Sequence, residues 1–336
     1  MAPVTKIKDV ARAAGVSPAT VSRVLNGNST VSADRAARVL EVASELGYQP
    51  FGPARALRQQ RTRLWAVIVS DIQNPFFTSM VRGIEDVARA EARSVVLCNS
   101  DEDPVREASY IDVAIGERMG GVIIALASDR SSHVDALLER NMPVVAVDRH
   151  PRSGSELIDS VLVDNRGGAA AATEHLIAGG FRRIACITGP ARASTASERL
   201  AGYKAAMRKA KRAIDPALIR QADYRHAGGY AAASELLRAR RRPDAMFVAN
   251  NLMTLGALQA IADLGLTVPH DVGLVGFDDA PWATLTTPPL TVVAQPTHEI
   301  GREAARLLIS AHPDTSSRHV VLAPTLIVRG SSVRAD

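Results

Sequence analysis

Short apolar runs separated by helix-length stretches recur from residue 64 to the end of the chain. They lie at 64–70, 95–99, 121–126, 143–148, 161–163, 184–188, 245–250 and 272–277. A strand that is apolar at every position must be covered on both faces, and helical connections supply the cover. The pattern predicts α/β architecture: parallel strands in doubly wound units. It occurs twice, with the crossing point at Val161-Leu162-Val163-Asp164-Asn165. A further segment at 290–295 leads into a helix from Thr297, and 319–329 closes the chain. Open sheets of this kind hold ligands beyond the carboxyl ends of their strands.

The first fifty residues have a different character. Lys6 to Gly27 reads as two short helices around a tight turn at Gly15, with Val10, Ala14, Val16, Val21, Val24 and Leu25 forming one small core. Ser17 is placed to cap the second helix, and Pro18 sits where the first helical N–H has no partner anyway. A third helix is expected from Ala33 to Leu46. Ser32 is its cap, Val39, Leu40, Ala43 and Leu46 its apolar stripe, and Gly47 its stop. The second helix presents Pro18, Ala19, Thr20, Ser22, Arg23 and Asn26 outward, a surface that a DNA major groove accepts.

Charge separates this head from the body. Residues 1–62 hold nine basic and four acidic side chains, so their +5 equals the formal net charge of all 336 residues. A small basic head on a neutral body is the footprint of nucleic-acid binding confined to the head. No apolar run is long enough for a membrane span and Met1–Lys8 lacks a signal-peptide core, so a cytoplasmic protein is expected, nucleoid-associated when on DNA. Cys98 and Cys186 both sit in strand-like runs and read as buried thiols.

Lys8-Asp9-Val10-Ala11, Ala14-Gly15-Val16-Ser17 and Thr20-Val21-Ser22-Arg23-Val24-Leu25-Asn26 carry a close resemblance to the headpiece of LacI-family bacterial transcription regulators. The resemblance extends over essentially the whole chain. It implies a helix-turn-helix headpiece (1–50), a hinge helix or linker (51–62), and a two-lobed core like that of periplasmic binding proteins. The N-terminal lobe would be 63–163 and 291–324, the C-terminal lobe 164–290 and 325–336. Lys6, Ser17, Pro18, Ala19, Thr20, Ser22, Arg23 and Asn26 would face operator DNA, with Arg23 making the principal base-edge contact. Pro53-Ala54-Arg55-Ala56-Leu57-Arg58 is similar to the family hinge, in which Ala54 and Arg55 lie in the minor groove and Leu57 wedges a base step open. Phe51-Gly52 stands where relatives often carry Asn after the first Pro. A homodimer on a palindromic operator follows, and the C-terminus has no leucine heptad to build a tetramer.

Polar and aromatic residues gather at the predicted strand ends: Asn74-Pro75-Phe76-Phe77, Asp148-Arg149, Arg199 after Thr188-Gly189-Pro190, Asn250, Asp278 and Gln295. Carboxylates and amides take hydroxyls, Arg donates in a fork, and Phe covers an apolar ring face, a combination that suits a sugar. The set is similar to that of ribose-type binding proteins and ribose-responsive repressors. The resemblance implies effector contacts from Asn74, Phe76, Phe77, Asp148, Arg149, Arg199, Asn250, Asp278 and Gln295, with Tyr224 as a further aromatic. The effector would be a monosaccharide, and a pentose such as ribose is the narrower expectation.

The alternatives are a purine-, nucleoside- or phospho-sugar-responsive regulator, a transport-type binding protein and a sugar-processing enzyme. A transport protein needs a signal peptide and no basic head. The enzyme reading lacks any G-x-G, G-x-x-x-x-G-K, G-x-S-x-G, C-x-x-C or H-E-x-x-H motif, so no catalytic residue, cofactor or metal is expected.

Overall fold

The structure is a computed structural model that describes residues 5–25, 31–48, 61–128, 133–150, 158–311 and 316–334. The chain forms two units that divide between Thr62 and Arg63.

The first unit is helical: α1 (Ile7–Ala14), α2 (Pro18–Leu25) and α3 (Ala33–Glu45). Gly15 takes the left-handed conformation (φ 66°) that closes α1, and Val16 N–H donates back to the Ala11 carbonyl at 3.0 Å. Ser17 Oγ accepts the Thr20 N–H at 3.1 Å, the capping bond that starts α2. Val10, Ala11, Ala14, Val21, Val24, Val39 and Ala43 form the small core. Two details differ from expectation. Ser32 occupies the N-cap position of α3 without a side-chain capping bond, and the first turn is held by Ala36 N–H to Ser32 O instead. Leu40 and Leu46 are 53% and 40% exposed, because the face of α3 turned toward α1 and α2 is satisfied by Val39 and Ala43. Asn26 and the hinge segment with Ala54, Arg55 and Leu57 lie outside the described residues.

The second unit holds two six-stranded sheets. Its elements, in order, are β1 (Leu64–Val69), α4 (Pro75–Ala90), β2 (Ser94–Asn99), α5 (Pro104–Gly116), β3 (Gly121–Ala125), α6 (Asp135–Leu138), β4 (Val144–Val147) and β5 (Asp159–Val163). The chain then crosses to α7 (Asn165–Ala178), β6 (Ile184–Thr188), α8 (Ser194–Lys209), β7 (Ile219–Gln221), α9 (His226–Arg238), β8 (Ala245–Val248), α10 (Asn251–Asp263), β9 (Gly273–Phe277) and β10 (Thr291–Ala294). It ends with α11 (Thr297–Ile309), β11 (His319–Leu322) and β12 (Thr325–Ile327). The first sheet runs β11-β5-β4-β3-β1-β2, all parallel, and the second β12-β10-β9-β8-β6-β7. Capped starts recur: Asn74 and Asp103 accept the N–H two residues on and each precedes a proline at the first helical position.

Strand β10 pairs with β9 and β12 in the second sheet, so that lobe runs through Ala294 and not, as the sequence suggested, only to 290. Strand β12 is antiparallel to β10, a departure from a wholly parallel sheet. The reason is topological. The chain leaves the cleft end of β11 and enters β12 from the cleft, so β12 runs away from it while β10 beside it runs toward it. Helix α11 returns to the first lobe and packs on α4 at backbone range. A Cβ on Gly83 would stand 2.1 Å from the His298 carbonyl oxygen, and one on Gly301 would stand 2.0 Å from that of Met80. Cys98 and Cys186 are buried, and burial pushes the Cys186 thiol up to about 12. No helix among the described residues is long and apolar enough to cross a membrane.

Candidate effector cleft and headpiece surface

The carboxyl ends of the parallel strands of both sheets face one cleft. Asn74, Phe76, Phe77, Asp148, Arg149, Arg199, Tyr224, Asn250, Asp278 and Gln295 all line it. So do Asp71, Glu102, Thr195, Asp223 and Arg225, which the sequence reading missed. Asp71 follows β1 and Glu102 follows β2, positions legible as polar residues after an apolar run. Asp223 and Arg225 follow β7, a three-residue strand with Arg220 and Gln221 in it that leaves no apolar signal.

Each lobe fixes its own part of the wall. Asn74 Oδ1 caps α4 through the Phe76 N–H at 2.9 Å, and Phe76 and Phe77 meet edge to face with centroids 4.9 Å apart. Arg149 donates from both Nη atoms to Glu102, at 2.8 and 2.6 Å, and from Nη1 to the Leu126 carbonyl at 2.9 Å. Burial opposes the Arg149 charge, but the Glu102 carboxylate outweighs it and holds the guanidinium above its ordinary value. Across the cleft, Arg199 donates to Asn165 Oδ1 at 2.7 Å and to the Ala249 carbonyl at 2.6 Å, and lies 3.8 Å over the Phe277 ring. Tyr224 OH and Thr195 Oγ1 share a hydrogen bond at 3.1 Å. The Tyr224 ring lies over Gly189, where a Cβ would come within 2.2 Å of it, so the Thr188-Gly189-Pro190 turn needs its glycine for the aromatic wall. Asn250 Nδ2 donates to the Tyr224 carbonyl at 3.0 Å, and Gln295 Nε2 donates to Asp278 Oδ1.

Asp148, Tyr224 and Asp278 hold left-handed backbone, with φ of 63°, 66° and 78°. Such strain persists only where the surroundings over-determine it, and it clusters at functional sites. Burial pushes the Asp148 and Asp278 carboxyls up, against the pull of Arg149 and Arg199 on the first and of Arg199 and Gln295 on the second. The result is an aromatic-walled cleft rich in hydrogen-bond acceptors.

In the headpiece, Lys6, Ser17, Pro18, Ala19 and Arg23 are exposed, while Thr20 and Ser22 are half-buried. The Ser17 hydroxyl is engaged with Thr20, both through its N–H and through Oγ1 at 2.9 Å, so it orients α2.

A model described as "Bacterial regulatory proteins, lacI family" matches residues 6–50, and one for a periplasmic binding protein-like domain matches 173–332. The ribose operon repressor of Escherichia coli strain K12 is 36% identical over 332 residues, which cover 97% of this chain and 99% of that protein. The chain belongs to the lacI family of bacterial regulatory proteins. The lac repressor dimer bound to operator and the anti-inducer ONPF superposes with a TM-score of 0.85 at 28% identity, covering 99% of this chain and 100% of that one. The CelR–cellobiose complex gives 0.74 at 34% identity, covering 97% and 99%. The LacI-family chain is therefore a DNA-binding regulator with a helix-turn-helix head and a ligand-binding core.

Proposed function

We propose that this regulator is a cytoplasmic repressor that binds a palindromic operator as a homodimer and is released from it by a neutral monosaccharide, with D-ribose or another pentose first among candidates. Headpiece 1–50 would read the operator, 51–62 would couple head to core, and the interlobe cleft would hold the effector and leave it chemically unchanged.

The charge inventory of the cleft carries the choice of effector. Asp71, Glu102, Asp148, Asp223 and Asp278 line it against Arg149, Arg199 and Arg225. Arg149 and Arg225 are already paired, with Glu102 and Asp101 respectively, while Arg199 makes its hydrogen bonds to the neutral Asn165 Oδ1 and Ala249 carbonyl oxygens. A phosphate ester would meet five carboxylates against three guanidiniums, two of them already paired, and so a net acidic wall. A polyol instead donates hydroxyls to Asp148, Asp278 and the amides, and stacks its ring face on Phe76 or Phe77. The ribose operon repressor at 36% identity supports the same class.

The test is calorimetric titration of the full chain with D-ribose, other pentoses, hexoses, ribose 5-phosphate and a purine base. One neutral sugar should bind, and Asp278→Ala should abolish that binding while leaving operator affinity intact. Binding of the phosphate ester or purine in preference to every free sugar contradicts the assignment.

A further inference from the structure

We propose that Arg225 and Asp101 form a latch across the mouth of the effector cleft, and that breaking it is a step in ligand release. Arg225 Nη2 donates to Asp101 Oδ1 at 2.5 Å. Arg225 is the N-cap residue of α9, after the edge strand β7 of the second lobe, and Asp101 follows the edge strand β2 of the first, so the pair joins the lobes at the sheet edges opposite β11 and β12. Arg106 adds a second cation to Asp101 at 3.3 Å. The hydrogen bond from Arg225 holds the Asp101 carboxyl below its usual range, and the same bond raises the guanidinium.

Arg225 is itself part of the cleft wall, and Asp101 is one peptide bond from it. Asp101 precedes Glu102, which grips Arg149; Arg225 follows Tyr224, which meets Thr195. Asp101, Glu102 and Tyr224 all hold left-handed backbone, with φ of 56°, 59° and 66°. The Arg225 turn is braced in addition, by its N–H donating to Asp223 Oδ1 at 3.0 Å, with Gly228 leaving room for that carboxylate. Moving the latch therefore disturbs the groups that face the ligand. A second cross-lobe bond, Asn251 Nδ2 to Asn74 Oδ1 at 2.8 Å, is buried. Arg225 and Asp101 are 41% and 36% exposed, so theirs is the outer contact, the one that solvent reaches first and salt weakens.

The inference rests on the reading of the cleft as a sugar site, so its test has two arms. In the first, stopped-flow release of D-ribose from the full chain should be about two- to fivefold faster in Asp101→Asn and in Arg225→Gln, the range a half-exposed ion pair supports. The double variant should release no faster than the faster single one, and the exchanged pair Asp101→Arg with Arg225→Asp should recover the slow rate. Release at the wild-type rate in either single variant, or multiplicative effects in the double, overturns the latch. The second arm needs no ligand. Spin labels at exposed Val113 and Leu285, one in each lobe, should report a separation that lengthens in both single variants and at molar salt. A separation indifferent to variant and salt overturns the latch. A wild-type chain that binds no D-ribose removes D-ribose as the effector and leaves the label distances, which need no ligand, to decide the latch.

Discussion

Two side chains carry most of the functional argument. Arg23 is exposed on α2, near its C-terminus, and is the one basic group on the surface that α2 offers a major groove. Arg23→Ala is expected to weaken operator binding by about 1–3 kcal/mol and to flatten sequence preference. Fluorescence anisotropy on specific and random duplexes checks this, and an equal loss on both contradicts the base-reading role. Asp278 is the second. Its carboxyl is pushed above the usual carboxylate value by burial. A carboxyl raised in the fold takes up protons on folding, so stability is greatest below its unfolded value and declines as pH climbs through the folded one. Asp278→Asn removes that decline. The ligand-free variant should melt higher than wild type at neutral pH, the gap closing toward about pH 4, while sugar binding is lost. A variant that melts lower at neutral pH would contradict the burial argument.

At the scale of elements, the lobes depend on helices meeting at backbone distance. Gly83 and Gly301 let α4 and α11 approach so closely that either Cβ would strike a carbonyl oxygen. Gly301→Ala is expected to cost about 1–3 kcal/mol by overpacking, read from urea unfolding of the full chain; a neutral effect would mean the helices separate freely. These contacts were invisible in the sequence, because a glycine in a helix announces no partner. The strands were legible wherever they were buried on both faces, as in 121–126 or 272–277, since continuous apolar runs have one structural use. Strand β7 was not, being short, polar and at a sheet edge. The antiparallel β12 was not legible either, because strand direction is set by which end of the cleft the chain enters from. In the cleft, strand-end residues such as Asp148 and Asp278 were readable from position, while Glu102 and Arg225 act through ion pairs that only the fold assembles.

At the scale of the whole molecule, regulation requires that the effector bind the released form more tightly than the operator-bound one, since a ligand shifts an equilibrium only by that difference. The interlobe contacts at Arg225–Asp101 and Asn251–Asn74 are the places where closure of the core is recorded. The central claim is control of operator binding by a neutral sugar. The most direct test is to select duplexes from a random pool with the full chain, then challenge the selected complex with D-ribose and with ribose 5-phosphate. A palindromic consensus is expected, in a complex that dissociates with the free sugar and resists the phosphate ester. A complex released by the ester alone, or a consensus without two-fold symmetry, would contradict it.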